Sequence, residues 1–214
     1  YQQARQVIDT TGGAYYAKLL EAKGITYLGS FHNGFRQLTN SKHPVTKPED
    51  LKDLKIRVPG SAVYMGVFNA LGASPTAMSW SEVFTAIQQK TIDGQENGCS
   101  VTKSAKMDEI QQYMTIWNYS YENDLFVANS RVWESLDENT RQLLQECATE
   151  SCEWGRDHLE AEEDQLIQGF MDSGMQVDIL TEDQLQAFKD AVAGVTAELK
   201  TEYGEDACAA FGIN

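Results

Sequence analysis

Apolar positions recur along this chain at two periods, and the changes between them mark its elements. Tyr15, Tyr16, Leu19 and Leu20 fall on one helical face and Gly24 closes the run, which predicts a helix over residues 14–22. A short buried strand is expected over 25–28 and a strand or extended segment over 31–38. Residues 40–48 hold two prolines and read as a loop, and Pro48 then opens a helical turn with Glu49 and Asp50 at its positive end. A strand over 55–58 ends at Pro59. A helix over 61–71 carries Val63, Val67, Phe68 and Leu71 on one face and stops at Gly72.

The pattern continues with a strand over 75–78 and a helix through Val83, Phe84 and Ile87, for which Ser79-Trp80-Ser81-Glu82 offers a capping box. The segment 54–98 thus reads strand–helix–strand–helix–strand, the order of an α/β lobe. Further expectations are a helix over 105–113, strands over 113–116 and 124–129, a strand over 177–180, and an amphipathic helix over 182–203. Between 137 and 172 there is no proline and only Gly155 and Gly169, while Leu143, Cys147, Trp154, Leu159, Leu166 and Phe170 keep helical spacing. That predicts one helix of about 35 residues and ~50 Å, longer than a small lobe is wide. Two helices broken at Gly155 are the alternative.

Composition narrows the function. The chain has 214 residues, 42% hydrophobic and 10% aromatic, enough for an ordered core. Its formal charge of −15 argues against nucleic acid and against anionic membranes as partners. No run approaches the ~18 apolar residues of a membrane span. No basic leader, apolar core and cleavage site are present, and the chain opens at Tyr1, so a processed or incompletely represented protein is expected. Cys99, Cys147, Cys152 and Cys208 lack zinc spacing; Cys147 and Cys152 would point about 140° apart on a helix and should not bridge. No cofactor or metal motif occurs.

Four residues carry binding chemistry. Arg57, in Lys55-Ile56-Arg57-Val58-Pro59, leaves a strand end among apolar neighbours, where a guanidinium can grip a carboxylate in two-pronged fashion. Arg36, in Gly34-Phe35-Arg36-Gln37, could bracket the same anion. Trp80 at a helix start offers a flat stacking surface, and Asn97, after Asp93-Gly94-Gln95-Glu96, can donate and accept at once. Each has an ordinary structural counterpart: a paired arginine, a core tryptophan, a turn asparagine. No nucleophile–base pair or nucleotide-binding motif is found, and the acid pairs fall at helix starts or on solvated faces.

Taken together, Gly34-Phe35-Arg36-Gln37-Leu38-Thr39-Asn40, Pro48-Glu49-Asp50-Leu51, Leu54-Lys55-Ile56-Arg57-Val58-Pro59, Ala70-Leu71-Gly72-Ala73, Ser81-Glu82-Val83-Phe84-Thr85-Ala86 and Asp93-Gly94-Gln95-Glu96-Asn97 resemble one family. It is the substrate-binding proteins of the tripartite ATP-independent periplasmic (TRAP) transporters. The resemblance implies a two-lobed α/β fold of the periplasmic-binding-protein kind, with a long helix spanning the lobes and an N-terminal lobe incomplete in this chain. Residues 1–35 and 123–162 would belong to the first lobe, and 36–122 and 163–214 to the second.

It implies Arg57 as the principal carboxylate ligand, with Arg36, Asn97 and Trp80 assisting, and lobe closure over an organic acid. It also implies no enzymatic activity, no cofactor, a TRAP permease as membrane partner, and a monomer. The location would be periplasmic or cell-surface, after removal of a signal peptide. Gly60 stands where sialic-acid receptors carry an asparagine, which leaves uronates, other sugar acids and C4-dicarboxylates. The rival readings are a sugar-acid enzyme, with Arg57 for substrate and Glu82 or Asp93 for proton transfer, and a non-transport sensor.

Overall fold

A computed structural model describes residues 1–213 as two compact units. The first unit comprises Tyr1–Gly34, Tyr121–Glu162 and Tyr203–Asn214; the second comprises Phe35–Ser120 and Glu163–Glu202. In chain order the elements are α1 (Gln2–Val7), a π-helical turn (Ile8–Gly12), α2 (Gly13–Glu21), β1 (Ile25–Phe35), β2 (Gln37–Asn40), a 3-10 turn (Pro48–Leu51), β3 (Lys55–Val58), α3 (Ala62–Ala70), β4 (Ser74–Ala77), α4 (Trp80–Gln88), β5 (Gly94–Asn97) and α5 (Cys99–Ser104). Then follow a 3-10 turn (Met107–Glu109), β6 (Tyr113–Ile116), β7 (Tyr121–Asn129), α6 (Ser130–Ser135), α7 (Glu138–Asp172), β8 (Gln176–Ile179), α8 (Glu182–Ala191) and α9 (Ala193–Ala210).

In the second unit six strands form one mixed sheet in the order β4-β3-β5-β2-β6-β8. β3 runs parallel to both β4 and β5, while β2 is antiparallel to β5 and β6. The alternation of side chains sorts the core onto two faces. Leu38, Ile56 and Val58 point to one face, where Phe68 of α3 and Phe188 of α8 cover them. Met114 and Ile116 point to the other, against Phe170 near the end of α7. α4 closes a further cluster through Val83, Ala86 and Ile87, with Ile92 and Met107. Gly94 opens the central strand because nothing larger fits: a Cβ there would sit 2.2 Å from the Thr39 carbonyl oxygen. Gly72, at φ 78°, takes the left-handed position that ends α3.

In the first unit β1, of 11 residues, pairs with β7 in a two-stranded sheet. The expected break at residues 28–31 is absent, and the strand runs through. α7 is a single helix of 35 residues that continues through Gly155.

Four expectations need correction. The helix expected over 105–113 lies instead at Cys99–Ser104, and Lys106, at φ 56°, breaks the chain before the turn that precedes β6. The helix expected over 182–203 is two helices separated at Val192, and α9 is itself kinked at Gly204. The side chain of Ser79 makes no capping bond to α4; the box forms at Thr181–Gln184 on α8. Residues 203–214 group with the first unit and not the second, because Phe211 packs on Tyr15 and Tyr16 at 5.9 and 5.1 Å and Thr11 Oγ1 donates to the Ala210 carbonyl at 2.5 Å.

Candidate functional site

β3 lies between β4 and β5, so the chain steps outward from β3 to β4 and then returns past β3 to β5. Open α/β sheets hold small ligands at such a reversal, outside the C-terminal strand ends. Arg57 occupies the third position of β3 and Asn97 the last of β5. The register sets Arg57 beside Gln95, so Arg57, Gln95 and Asn97 share one face. Arg57 is 6% exposed. Its Nε donates to the Met78 carbonyl at 3.0 Å, and its guanidinium carbon lies 5.3 Å from the centre of the Trp80 ring. Trp80 is there because it opens α4 directly after the β4 loop. Asn97 is also 6% exposed, and its Oδ1 accepts from the Gly98 N–H at 3.0 Å.

Arg36 belongs to a different corner. It precedes β2, is 2% exposed, and lies over Tyr64 of α3 at 5.2 Å. Glu96, which has no exposed surface, grips it along one edge. Arg36 Nε and Nη2 donate to the two carboxylate oxygens, the second at 2.8 Å, and Nη2 also donates to the Glu96 carbonyl at 2.8 Å. Tyr119 donates its hydroxyl to the same carboxylate. Burial pushes the Glu96 carboxyl above its ordinary range, against the opposing pull of Arg36, Tyr119 and Arg57, and burial holds the Tyr119 phenol well above its own. The structure therefore brings Arg57, Trp80 and Asn97 together on the α4 side and sets Arg36 with Glu96 on the α3 side.

Glu82 is exposed on the first turn of α4. Asp93 sits just before β5, at the opposite end from Asn97, and accepts from the Lys55 N–H at 2.9 Å. Four residues of strand, ~13 Å, separate Asp93 from Asn97. Among the described residues no group of His, Cys, Asp and Glu could hold a metal, and no disulfide joins the cysteines. Burial pushes the Cys99 thiol up to about 12, so it stays protonated.

The family model for bacterial extracellular solute-binding protein, family 7 (DctP), matches residues 1–202. The chain belongs to that family. These are the substrate-binding proteins of TRAP transporters, as the relatives of this solute-binding chain agree. It is 32% identical over 196 residues to the 2,3-diketo-L-gulonate-binding periplasmic protein YiaO of Escherichia coli, covering 92% of this chain and 59% of that one. It is 31% identical over 211 residues to the C4-dicarboxylate-binding periplasmic protein DctP of Rhodobacter capsulatus, covering 98% and 63%. A crystal structure of a TRAP periplasmic solute-binding protein from Ralstonia eutropha H16, with bound (S)-2-acetolactate, superposes at a TM-score of 0.93 with 33% identity, covering 99% of this chain and 69% of that one. The chain thus spans about six-tenths of the length of the curated relatives it matches.

Sequence reasoning missed the groups that hold these arginines: Glu96, Tyr119, Tyr64 and the Met78 carbonyl. One signal was available. A glutamate inside a strand otherwise destined for burial requires a cation beside it.

Proposed function

We propose that this solute-binding chain is the ligand-gripping part of an extracytoplasmic receptor for a small organic acid, which it passes to a TRAP permease from the periplasm. Arg57 supplies the bidentate grip on the carboxylate. Asn97 reads an oxygen on the adjacent carbon, and Trp80 packs on the apolar face of the ligand. Arg36, engaged along its Nε/Nη2 edge by Glu96, adds a contact through its other edge. The observation that carries this reading is the seating of Arg57. It stands at the end of a buried strand beside the switch of strand order, oriented by a backbone carbonyl and an indole ring.

A sugar acid is the favoured ligand. The diketogulonate-binding name of the Escherichia coli relative and the acetolactate in the Ralstonia eutropha structure share a carboxylate with oxygen on the next carbon. A C4-dicarboxylate is the second reading, favoured by the name of the Rhodobacter capsulatus relative. The protein acts without catalysis, a reading supported by the binding-protein names of its relatives.

Calorimetry of the full-length protein against galactonate, diketogulonate, acetolactate and succinate tests both readings. Arg57→Ala is expected to weaken binding by at least ~30-fold, because truncating one side of a buried charge pair costs about 2 kcal/mol or more. Arg57→Lys should recover only part of that, since an ammonium cannot reproduce the planar fork. Undiminished binding by Arg57→Ala would remove Arg57 from the site, and tight binding of succinate alone would select the second reading.

A further inference from the structure

Asn118, between β6 and β7, has a left-handed backbone with φ 48°. That region disfavours residues with a Cβ, asparagine less than most, so a neighbour must stabilise it. Gln37, the first residue of β2 and without exposed surface, does so with its whole hydrogen-bonding capacity. Its Oε1 accepts from the Trp117 N–H at 3.0 Å and the Asn118 N–H at 3.1 Å. Its Nε2 donates to Asn118 Oδ1 at 2.6 Å and to the Phe35 carbonyl at 3.2 Å. A primary amide offers two donors and two acceptor positions, and all four are used. The far end of the turn is tied as well, where the Arg36 N–H donates to the Ser120 carbonyl at 2.8 Å.

Tyr119 lies between these two anchors. Its ring packs on Trp117 at 4.7 Å and on Phe68 at 5.8 Å, and its hydroxyl reaches the carboxylate of Glu96 that grips Arg36. One chain of contacts therefore runs from the Gln37 amide to the Arg36 guanidinium. Gln37 also pairs with Asn97 across the β2–β5 ladder.

We propose that Gln37 is a positioning residue of the ligand site: its amide fixes the Asn118 turn, the turn fixes Tyr119, and Tyr119 with Glu96 fixes Arg36 for the ligand. This rests on the carboxylate-receptor reading above. Its physical content is that Gln37 touches no ligand yet sets the protonation and geometry of a group that orients one. The Glu96 carboxyl is contacted by Arg36 and Tyr119, with Tyr64 behind the Arg36 guanidinium, and the charge of Arg57 acts on it from the other face of the sheet. Withdrawing the phenol hydroxyl leaves the carboxylate with one donor fewer, so Glu96 must take up a proton at higher pH than before.

The test uses the full-length protein and the variants Gln37→Met, Asn118→Ala, Tyr119→Phe, the double variant Gln37→Met/Tyr119→Phe, and Arg57→Ala. Titration of the Glu96 carboxyl by carbon-13 NMR without ligand reads the coupling. Calorimetry with galactonate, acetolactate and succinate as probes reads the consequence. Gln37→Met and Tyr119→Phe should each raise the Glu96 titration and weaken binding about tenfold, roughly one net hydrogen bond. The double variant should be no weaker than the worse single, because both act through one path.

Asn118 is exposed, so Asn118→Ala strains the turn without disturbing the core and should reproduce the effect even if Gln37→Met fails to fold. Wild-type titration and affinity in Gln37→Met or Asn118→Ala would overturn the inference. So would full additivity in the double variant, or a moved titration with unchanged affinity. Retained affinity in Arg57→Ala, or no binding of any probe by the wild type, would sink the functional reading instead, and the ligand-free titration would still decide whether Gln37 governs Glu96.

Discussion

Each unit buries an ionisable group, and the two groups are held in opposite ways. The second unit encloses a charge pair, Arg36 and Glu96, and satisfies it: two contacts join the pair, Tyr119 adds a third, and the neighbouring Gln37 amide is fully bonded. The first unit encloses His32 between the rings of Tyr1 and Tyr121, both centred 5.1 Å away, and neither ring nitrogen forms a hydrogen bond of ordinary geometry. The apolar surface divides the same way. Phe68, Phe170, Leu38, Ile56 and Met114 of the second unit are fully buried, whereas Phe31, Phe126, Val127, Leu143 and Trp154 of the first are exposed. The second unit, which carries Arg57, Asn97 and Trp80, thus closes its apolar clusters within the described residues. Preorganisation of a binding site needs such surroundings, because a loosely held arginine must be ordered at the expense of affinity.

The largest effect that would separate the units is a matched pair of truncations. Phe68→Ala removes a ring with no exposed surface that contacts Trp117 and Tyr119, and should cost about 3–5 kcal/mol. Trp154→Ala removes a larger ring that is 67% exposed, and should stay within about 0.5 kcal/mol. Chemical denaturation followed by circular dichroism measures both. Equal losses would mean that exposure does not report the energetic division.

A smaller effect, and one of opposite origin, should appear in acid. Burial pushes the His32 imidazole down to about 4 from its ordinary 6.5, with the charges of Arg5 and Arg156 adding to the shift and the nearby Arg156 backbone partly opposing it. Glu160, 3.4 Å from Nε2, is the nearest acid. A folded-state pKa below the unfolded one means that the unfolded chain binds the proton more readily. Stability from neutral His32 is therefore complete above about 6.5 and drains away as the pH falls from there to about 4, by on the order of 3 kcal/mol in all. Protection factors of amides in the first unit, which are corrected for the pH dependence of intrinsic exchange, should fall across that window, and His32→Phe should flatten the dependence. A slope unchanged in the variant would exclude His32 as its source. The second unit, with its charges paired, should show less of this loss.

This contrast was only half legible in the sequence. Elements set by local chemistry could be read directly: β3 ends at Pro59, α3 at Gly72, and the proline-free stretch 138–172 forms α7. Arg57 could be singled out because charge at the end of an apolar strand is locally visible. The partner of Arg36 could not, since Glu96 lies 60 residues away and meets it only through the antiparallel register that sets Leu38 against Glu96. The same register explains why two arginines that look alike in sequence diverge. Arg57 stacks over Trp80 of α4, and Arg36 over Tyr64 of α3. The displacement of the expected helix from 105–113 to Cys99–Ser104 has a backbone cause, the left-handed Lys106, for which lysine gives no warning. Nor does any local signal send residues 203–214 to the first unit, because the contact of Phe211 with Tyr15 and Tyr16 spans nearly the whole chain.

Helix caps supply the smallest test of the same division. On α8 of the second unit Thr181 and Gln184 form a reciprocal box, in which Thr181 N–H donates to Gln184 Oε1 at 2.9 Å and Gln184 N–H donates to Thr181 Oγ1 at 3.4 Å. On α6 of the first unit Asn129 Oδ1 accepts one bond, from the Val132 N–H at 3.3 Å, and the helix it starts has six residues. Thr181→Ala should cost about 1 kcal/mol and Asn129→Ala nearer 0.5 kcal/mol, while Ser79→Ala, which removes no capping bond, should cost less than either. Amide exchange at Gln184 and Val132 isolates each helix from global unfolding. Val132 should exchange quickly already in the wild type, because a short helix on an open apolar surface has little tertiary packing to protect it. Slow exchange there would show that α6 draws stability from something other than its cap, and would weaken the contrast between the two units.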